Sequence, residues 1–121
     1  MPSEKSVVLG TPDTEGTTVI GLVSDTHGLL RSEVLDAFQG VTGIVHVGDI
    51  GRTEILESLR EIASTVAVRG NVDTGAWAAQ LPLSVVVTVG EVRIYVYHGH
   101  EASELDSIRA SCQVVVTALS H

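Results

Sequence analysis

The sequence predicts an α/β fold. Strand-length apolar runs alternate with segments of helical period. Valine is abundant while aromatics make up only 3% of the chain. The metal-ligand types of side chain fall where the apolar runs end. With 121 residues there is room for one domain and not for two, and a hydrophobic content of 44% is enough to build a core.

Residues 1–16, MPSEKSVVLGTPDTEG, mix Pro, Gly, Ser, Thr and charge. They read as a flexible N-terminal tail in which only 7-VVL-9 has strand character, and the domain is expected over residues 17–121. The first run, 18-TVIGLVS-24, is a strand ending in 25-DTHG-28. Segment 31-RSEVLDAFQ-39 places Val34, Leu35 and Phe38 on one helical face. A second strand, 43-GIVHV-47, ends in Gly48-Asp49. The helix 52-RTEILESLREIA-63 follows, with Ile55, Leu56, Leu59 and Ile62 on one face. A third strand, 65-TVAV-68, ends in 69-RGN-71 and leads to a loop of small and polar residues with Trp77 and Pro82. Then 84-SVVVTV-89 and 92-VRIYVY-97 flank Gly90-Glu91 as a hairpin, ending in 98-HGH-100. A helix over 101-EASELDSIRAS-111 leads to the last strand, 114-VVVT-117.

The formal net charge of -8 argues against binding a nucleic-acid polyanion by charge. An acidic chain still accepts phosphoryl groups when metal cations supply the positive charge. Cys112 is the single cysteine, which leaves no internal disulfide and no cysteine-based zinc site; it reads as an inert core thiol. No apolar stretch is long enough for a membrane span and no signal-peptide pattern opens the chain, so a soluble cytoplasmic protein is expected.

Sheets of this type bind ligands beyond the carboxyl ends of their strands. Taken strand by strand, those ends carry Asp25 with His27, Asp49, Asn71, His98 and His121, with successive groups 24, 22, 27 and 23 residues apart. In extended geometry Asp25 and His27 point to one side. Carboxylates, an amide oxygen and imidazoles without a thiolate suit a first-row transition cation of intermediate softness, with manganese, iron, nickel and zinc all open. Each of these residues has a plainer reading as a turn or cap residue, and Gly28, Gly48, Gly70 and Gly99 as turn glycines. Their ordered conjunction at successive strand ends is what turn chemistry alone does not supply.

The motifs 25-DTH-27, 48-GD-49, 70-GN-71, 98-HG-99 and 118-ALSH-121 resemble those of the calcineurin-like metallophosphoesterase family, above all its small bacterial and archaeal phosphodiesterase branch. The family pattern runs Asp-x-His, Gly-Asp, Gly-Asn, His-Gly and Gly-His-x-His, and the likeness spans about residues 18–121. The resemblance implies a β-sandwich flanked by helices (αββα). It implies one metal held by Asp25, His27, Asp49 and His121. A second would be held by Asp49, Asn71, His98 and the first histidine of the last motif, with Asp49 bridging. It also implies a hydroxide between the two metals that attacks phosphorus in a small phosphodiester or nucleotide.

The last motif departs from the pattern, with Ala118 and Leu119 where the family has glycine and its first histidine. Leucine cannot donate to a metal, so the second cation is expected to be held less well than the first. The family also continues past this point. An incomplete sandwich, lacking C-terminal strands, is therefore expected, with an uncovered edge that invites homo-oligomers. Val72 stands where larger family members carry an acid histidine, which makes His100 the candidate general acid, with a solvated turn histidine as the alternative. Asp73 is either an outer partner of a ligand histidine or a turn aspartate. His46 reads as a strand histidine with a hydrogen-bonded ring. Arg69 and Arg52 are candidates for substrate phosphate against surface ion pairing, and Trp77 for a pocket wall against a core cover. Two other functions stay open. One is an interaction scaffold, like a retromer component of the same fold. The other is a non-functional fragment.

Overall fold

A computed structural model describes residues 4–8, 18–98 and 114–118. His100, Cys112, Leu119, His121 and the expected helix over residues 101–111 lie outside them. Seven strands form two sheets. β2 (Ile20–Val23), β3 (Gly43–His46) and β4 (Ser64–Ala67) make an all-parallel sheet in that order. β5 (Ser84–Val89) and β6 (Val92–His98) form the expected antiparallel hairpin, which β1 (Glu4–Val8) and β7 (Val114–Ala118) extend on its two sides in the order β1-β5-β6-β7.

The period-two alternation of side chains explains the layering. Val45 of β3 and Val47 just beyond it meet Val85, Val87 and Val96 of the hairpin in a core between the sheets. Ile44, one residue out of phase, points the other way, into a second core with Ile55, Leu56 and Leu59. Those three lie on α2 (Thr53–Arg60). Phe38, at the end of α1 (Ser32–Ala37), and Trp77 of α3 (Ala76–Ala79) pack on the same core. The helices thus cover one face of the parallel sheet and the hairpin sheet covers the other, so β3 is buried throughout. The architecture is a sandwich, as the family likeness implies, and not a single open sheet.

Two elements differ from the sequence expectation. Residues 4–8 were assigned to the flexible tail, but they form β1, paired in parallel with β5 from Glu4↔Ser84 to Val8↔Thr88. The partner lies some eighty positions away, and EKSVV has no alternation of its own to reveal it. The loop after Asn71 contains the short helix α3, which starts after Gly75 at φ 96°. Its Trp77 packs against the helix-side core and borders a cavity of about 340 Å³ with Leu81 and Pro82.

His46 is fully buried on β3 and makes the hydrogen bonds expected of a strand histidine. The Gly48 amide donates to Nδ1 at 3.2 Å, so the ring proton sits on Nε2 and is given to Thr26 Oγ1 at 3.0 Å. Thr26 donates onward to the Ile50 carbonyl at 2.9 Å. Burial pushes the His46 pKa down from 6.5 to about 4, against the opposing charges of Asp73 and Asp25. The folded protein therefore holds this ring neutral while the unfolded chain protonates it near 6.5.

In the window between these values the unfolded state binds more protons, so stability falls as pH falls. The expected loss from this group is about 2 kcal/mol between about pH 7.5 and pH 5. Urea unfolding of the wild type and of His46→Gln at both values checks it: the variant should lose about 2 kcal/mol less. An equal loss in both proteins would show that His46 is not the titrating group. Leu59→Ala, at a fully buried α2 position, should cost about 2–5 kcal/mol in the same assay.

Candidate metal centre

The candidate ligands gather at one end of the parallel sheet because the loops there are laced to one central turn. The ladder of β2 and β3 continues past the strands. Val47 donates to the Val23 carbonyl at 2.8 Å, Asp25 to Gly48 at 2.9 Å, His27 to Asp49 at 3.0 Å and Gly28 to Ile50 at 2.7 Å. The Asp25–Gly28 loop is thereby stitched, residue by residue, to the turn Gly48–Gly51. The stitching needs an unusual backbone. Asp25, His27 and Asp49 have φ of 58°, 50° and 58°, in the left-handed region. The expectation that Asp25 and His27 share a side through extended geometry is therefore corrected: they converge through two left-handed residues. Asp and His are among the non-glycine residues that tolerate this conformation best.

The side chains then converge. Asp25, Asp49 and His98 each offer one ligand atom, all within 4.8 Å of one another. His27 Nε2 lies 3.7 Å from Asp25 Oδ1 and 3.9 Å from Asp49 Oδ2. His98 Nε2 lies 3.3 Å from that same Oδ2. Asp49 is 1% exposed and His98 7%, while Asp25 and His27 open toward solvent. Ser24 donates to Asp25 Oδ2 at 2.8 Å.

His98 supplies the test of whether a metal fits. Its Nδ1 lies 2.7 Å from the Val47 carbonyl, which can only accept, so Nδ1 carries the proton. Whenever that ring is neutral, the Nε2 lone pair faces the Asp49 carboxylate. That nitrogen is buried and makes no hydrogen bond among the described residues. A lone pair held against a carboxylate oxygen is unfavourable alone and is the donor arrangement a divalent cation takes up. The Nδ1 bond to a backbone carbonyl is the usual device that orients a ligand histidine. Asp25, Asp49 and His98 therefore suit a divalent metal.

Close packing holds these groups in place. A Cβ at Gly48, where φ is 103°, would meet the His98 ring at 2.8 Å, and one at Gly70 would meet the Asp49 backbone nitrogen and Oδ1. Both glycines are therefore more than turn residues, since each lets a neighbour approach a ligand. Burial pushes the Asp49 carboxyl up, but the Val72 amide, His98, Asp25 and His27 outweigh it and hold the group below its ordinary value, so it is a carboxylate at neutral pH. The Val72 amide donates to its Oδ1 at 3.1 Å.

The remaining sequence candidates lie around this cluster. Asn71 is exposed, between Gly70 and Val72, both of which touch Asp49. The side chain of Arg52 runs over Gly28, with Nε 3.5 Å from a Cβ built there. The Arg69 amide donates to the Pro82 carbonyl at 2.8 Å. A cavity of about 200 Å³ bordered by Asp25, Thr26, Leu29 and Arg31 adjoins the cluster. The larger cavity at Trp77 is not lined by Asp25, Asp49 or His98, so Trp77 covers the core and does not wall the metal centre. Asp73, read from sequence as a histidine partner or a turn residue, is a turn aspartate that also reaches a second turn, accepting three backbone amides in all. Ile50 and Gly51 donate to its Oδ1, each at 2.9 Å, and Gly70 to its Oδ2 at 2.8 Å. Sequence reasoning missed this role, for which the only signal is an aspartate two residues after Gly-Asn.

Comparison with known proteins agrees with this geometry. Residues 19–121 match the model of the calcineurin-like phosphoesterase superfamily domain. A protein of Methanocaldococcus jannaschii named "Probable metallophosphoesterase" is 39% identical over 89 residues, which are 69% of this chain and 44% of that protein. One of the same name from Methanothermobacter thermautotrophicus is 33% identical over 86 residues, 67% of this chain and 49% of that protein. The chain thus spans about half the length of the curated relatives it matches. Among solved structures, Chaetomium thermophilum Vps29 superposes with a TM-score of 0.68 at 22% identity, covering 84% of this chain and 61% of that one. The zinc complex of Entamoeba histolytica Vps29 gives 0.63 at 20%, covering 81% and 62%. At that identity the likeness is one of fold. The family match over nearly the whole domain, together with the converging Asp25, Asp49 and His98, makes the chain a member of the calcineurin-like phosphoesterase superfamily.

Proposed function

We propose that the chain is the metal-binding part of a phosphodiesterase that hydrolyses a small phosphodiester or nucleotide at a pair of divalent cations, manganese foremost. The observation that carries this reading is the buried His98 Nε2, without a hydrogen bond among the described residues and set 3.3 Å from Asp49 Oδ2, with Asp25 in the same cluster. Asp49 is the residue the donors share: its Oδ2 lies 3.9 Å from His27 Nε2 and 3.3 Å from His98 Nε2, which suits it to be the carboxylate common to two cations. Cations bound there supply an acidified water and the positive charge that offsets the phosphoryl oxygens. The chain itself has 7 Lys and Arg against 15 Asp and Glu, too few cations to do this alone. Arg52 and Arg69 are proposed to contact the substrate phosphate, Asn71 and His121 to complete the ligand sets, and His100 to protonate the leaving group.

The test is hydrolysis of a bis-aryl phosphate by manganese-loaded protein, with metal content measured per chain. Asp49→Asn should lower turnover by about 10³-fold or more, because the shared charge is lost. Full activity in that variant would sink the proposal. Gly48→Ala should weaken manganese binding by about 10–100-fold in a calorimetric titration, because the new methyl displaces the His98 ring. A second reading, an interaction scaffold with the same fold, rests on Leu119 standing where the family motif has a histidine. Metal binding without turnover in the same assay supports it.

A further inference from the structure

Asp73 belongs to none of the expected ligand sets, yet it is among the most buried carboxylates, at 5% exposed. Its Oδ1 accepts the amides of Ile50 and Gly51, and its Oδ2 accepts that of Gly70, all at 2.8–2.9 Å. The donors lie on two different turns, after β3 and after β4. Asp49, on the first turn, in exchange accepts the Val72 amide of the second at 3.1 Å. Each turn thus places its aspartate on the other's backbone. The Asp73 amide closes the second turn on the Gly70 carbonyl at 3.3 Å. Gly70 in turn sits against the Asp49 backbone with no room for a side chain.

From this exchange we propose that Asp73 is a positioning residue. By bonding both turns it fixes their relative register, and so aims the Asp49 carboxylate, with Oδ1 toward Val72 and Oδ2 toward His98 and His27. Charge-assisted bonds from a carboxylate to backbone amides are stronger than neutral ones, which suits a clamp between two short turns. The inference rests on the proposed metal site only for its effect on metal affinity. Its structural content, that Asp49 is oriented through Asp73, stands apart from it.

Asp73→Asn separates the two. The amide fills the same volume, and its oxygen still accepts from Ile50 and Gly51, but its NH₂ faces the Gly70 amide, donor to donor. The bond that anchors the residue 73 side chain to its own turn is thereby broken with little loss of packing, and the two bonds across to Ile50 and Gly51 lose that support. Amide hydrogen exchange by NMR reads the consequence, with Val47, inside the β2–β3 ladder, as the reference. Exchange at Val72 should rise by about tenfold or more relative to Val47, although the Val72 amide is bonded to Asp49 and not to residue 73. The manganese dissociation constant, read by electron paramagnetic resonance, should rise by about 10–100-fold.

If Val72 and Val47 speed up together, Asp73 is merely structural and the proposal is overturned. Should Asp73→Asn fail to unfold cooperatively, Asp73→Glu, which keeps the charge but displaces both oxygens by a methylene, is judged by the same ratio. The two readings fail separately. A wild type that binds no manganese but shows selective loosening of Val72 in the variant refutes the metal site and upholds the clamp. Manganese binding and Val72 protection both unchanged in the variant refute the clamp and leave the metal site standing.

Discussion

The candidate metal centre depends on a reciprocal exchange of backbone amides between two aspartates. Asp49 sits on the turn after β3 and accepts from the turn after β4, and Asp73 sits on the second turn and accepts from the first. Parallel strands offer no hairpin to tie their ends together, since the chain leaves each strand through a long crossover. Unrestrained, the three loops at this end would be held only by their own contacts. Here the central turn, Gly48–Gly51, gives carbonyls to the Asp25–Gly28 loop and amides to Asp73. Asp25, His27 and His98 all meet this turn, which itself carries Asp49.

That restraint offsets two costs. The first is conformational. Three non-glycine residues in the left-handed region cost about 1 kcal/mol each or more, and the interloop bonds from Asp25, His27 and Gly28 are gained only in that conformation. The second is electrostatic. Asp25 and Asp49 are brought together in a protein that is already acidic, with Asp49 almost fully buried. Burial alone would favour the neutral acid. The Val72 amide and the neighbouring histidines reverse that balance and keep the carboxylate charged. A site organised this way gathers negative charge before any cation arrives, the arrangement expected of one that recruits metal and not of one that binds anions directly.

Much of this was legible in the sequence for a chemical reason. Ligand-type side chains are few, and strand ends return to one rim at regular intervals, so the gathering of Asp25, Asp49 and His98 there, with His27 beside them, follows from their spacing. The helix faces were legible because Ile55, Leu56 and Leu59 carry a clean helical period. What escaped was non-local or conformational. β1 is a strand because β5 offers it an edge, not because of its own composition. The left-handed backbone at Asp25 and His27 follows from interloop bonding, which spacing alone does not encode. Asp73 was visible as a residue but not as a clamp, because its three partners lie on two turns separated by a helix and a strand.

The division of labour within Asp49 shows why the clamp bears on function and not only on stability. Its two oxygens are chemically equal but not equally placed: Oδ1 is bound to the Val72 amide, and Oδ2 is the one both histidines approach. Were the second turn to slide along the first, Oδ1 would lose its amide and the carboxylate could rotate, leaving His98 Nε2 facing no fixed charge. His98 cannot follow, since its ring is pinned by the Val47 carbonyl on one side and confined by Gly48 on the other. Of the two groups that meet at 3.3 Å, the histidine is therefore fixed by the strands and the aspartate by the turns. The register between those turns, set through Asp73, decides whether the two remain in position to share an ion.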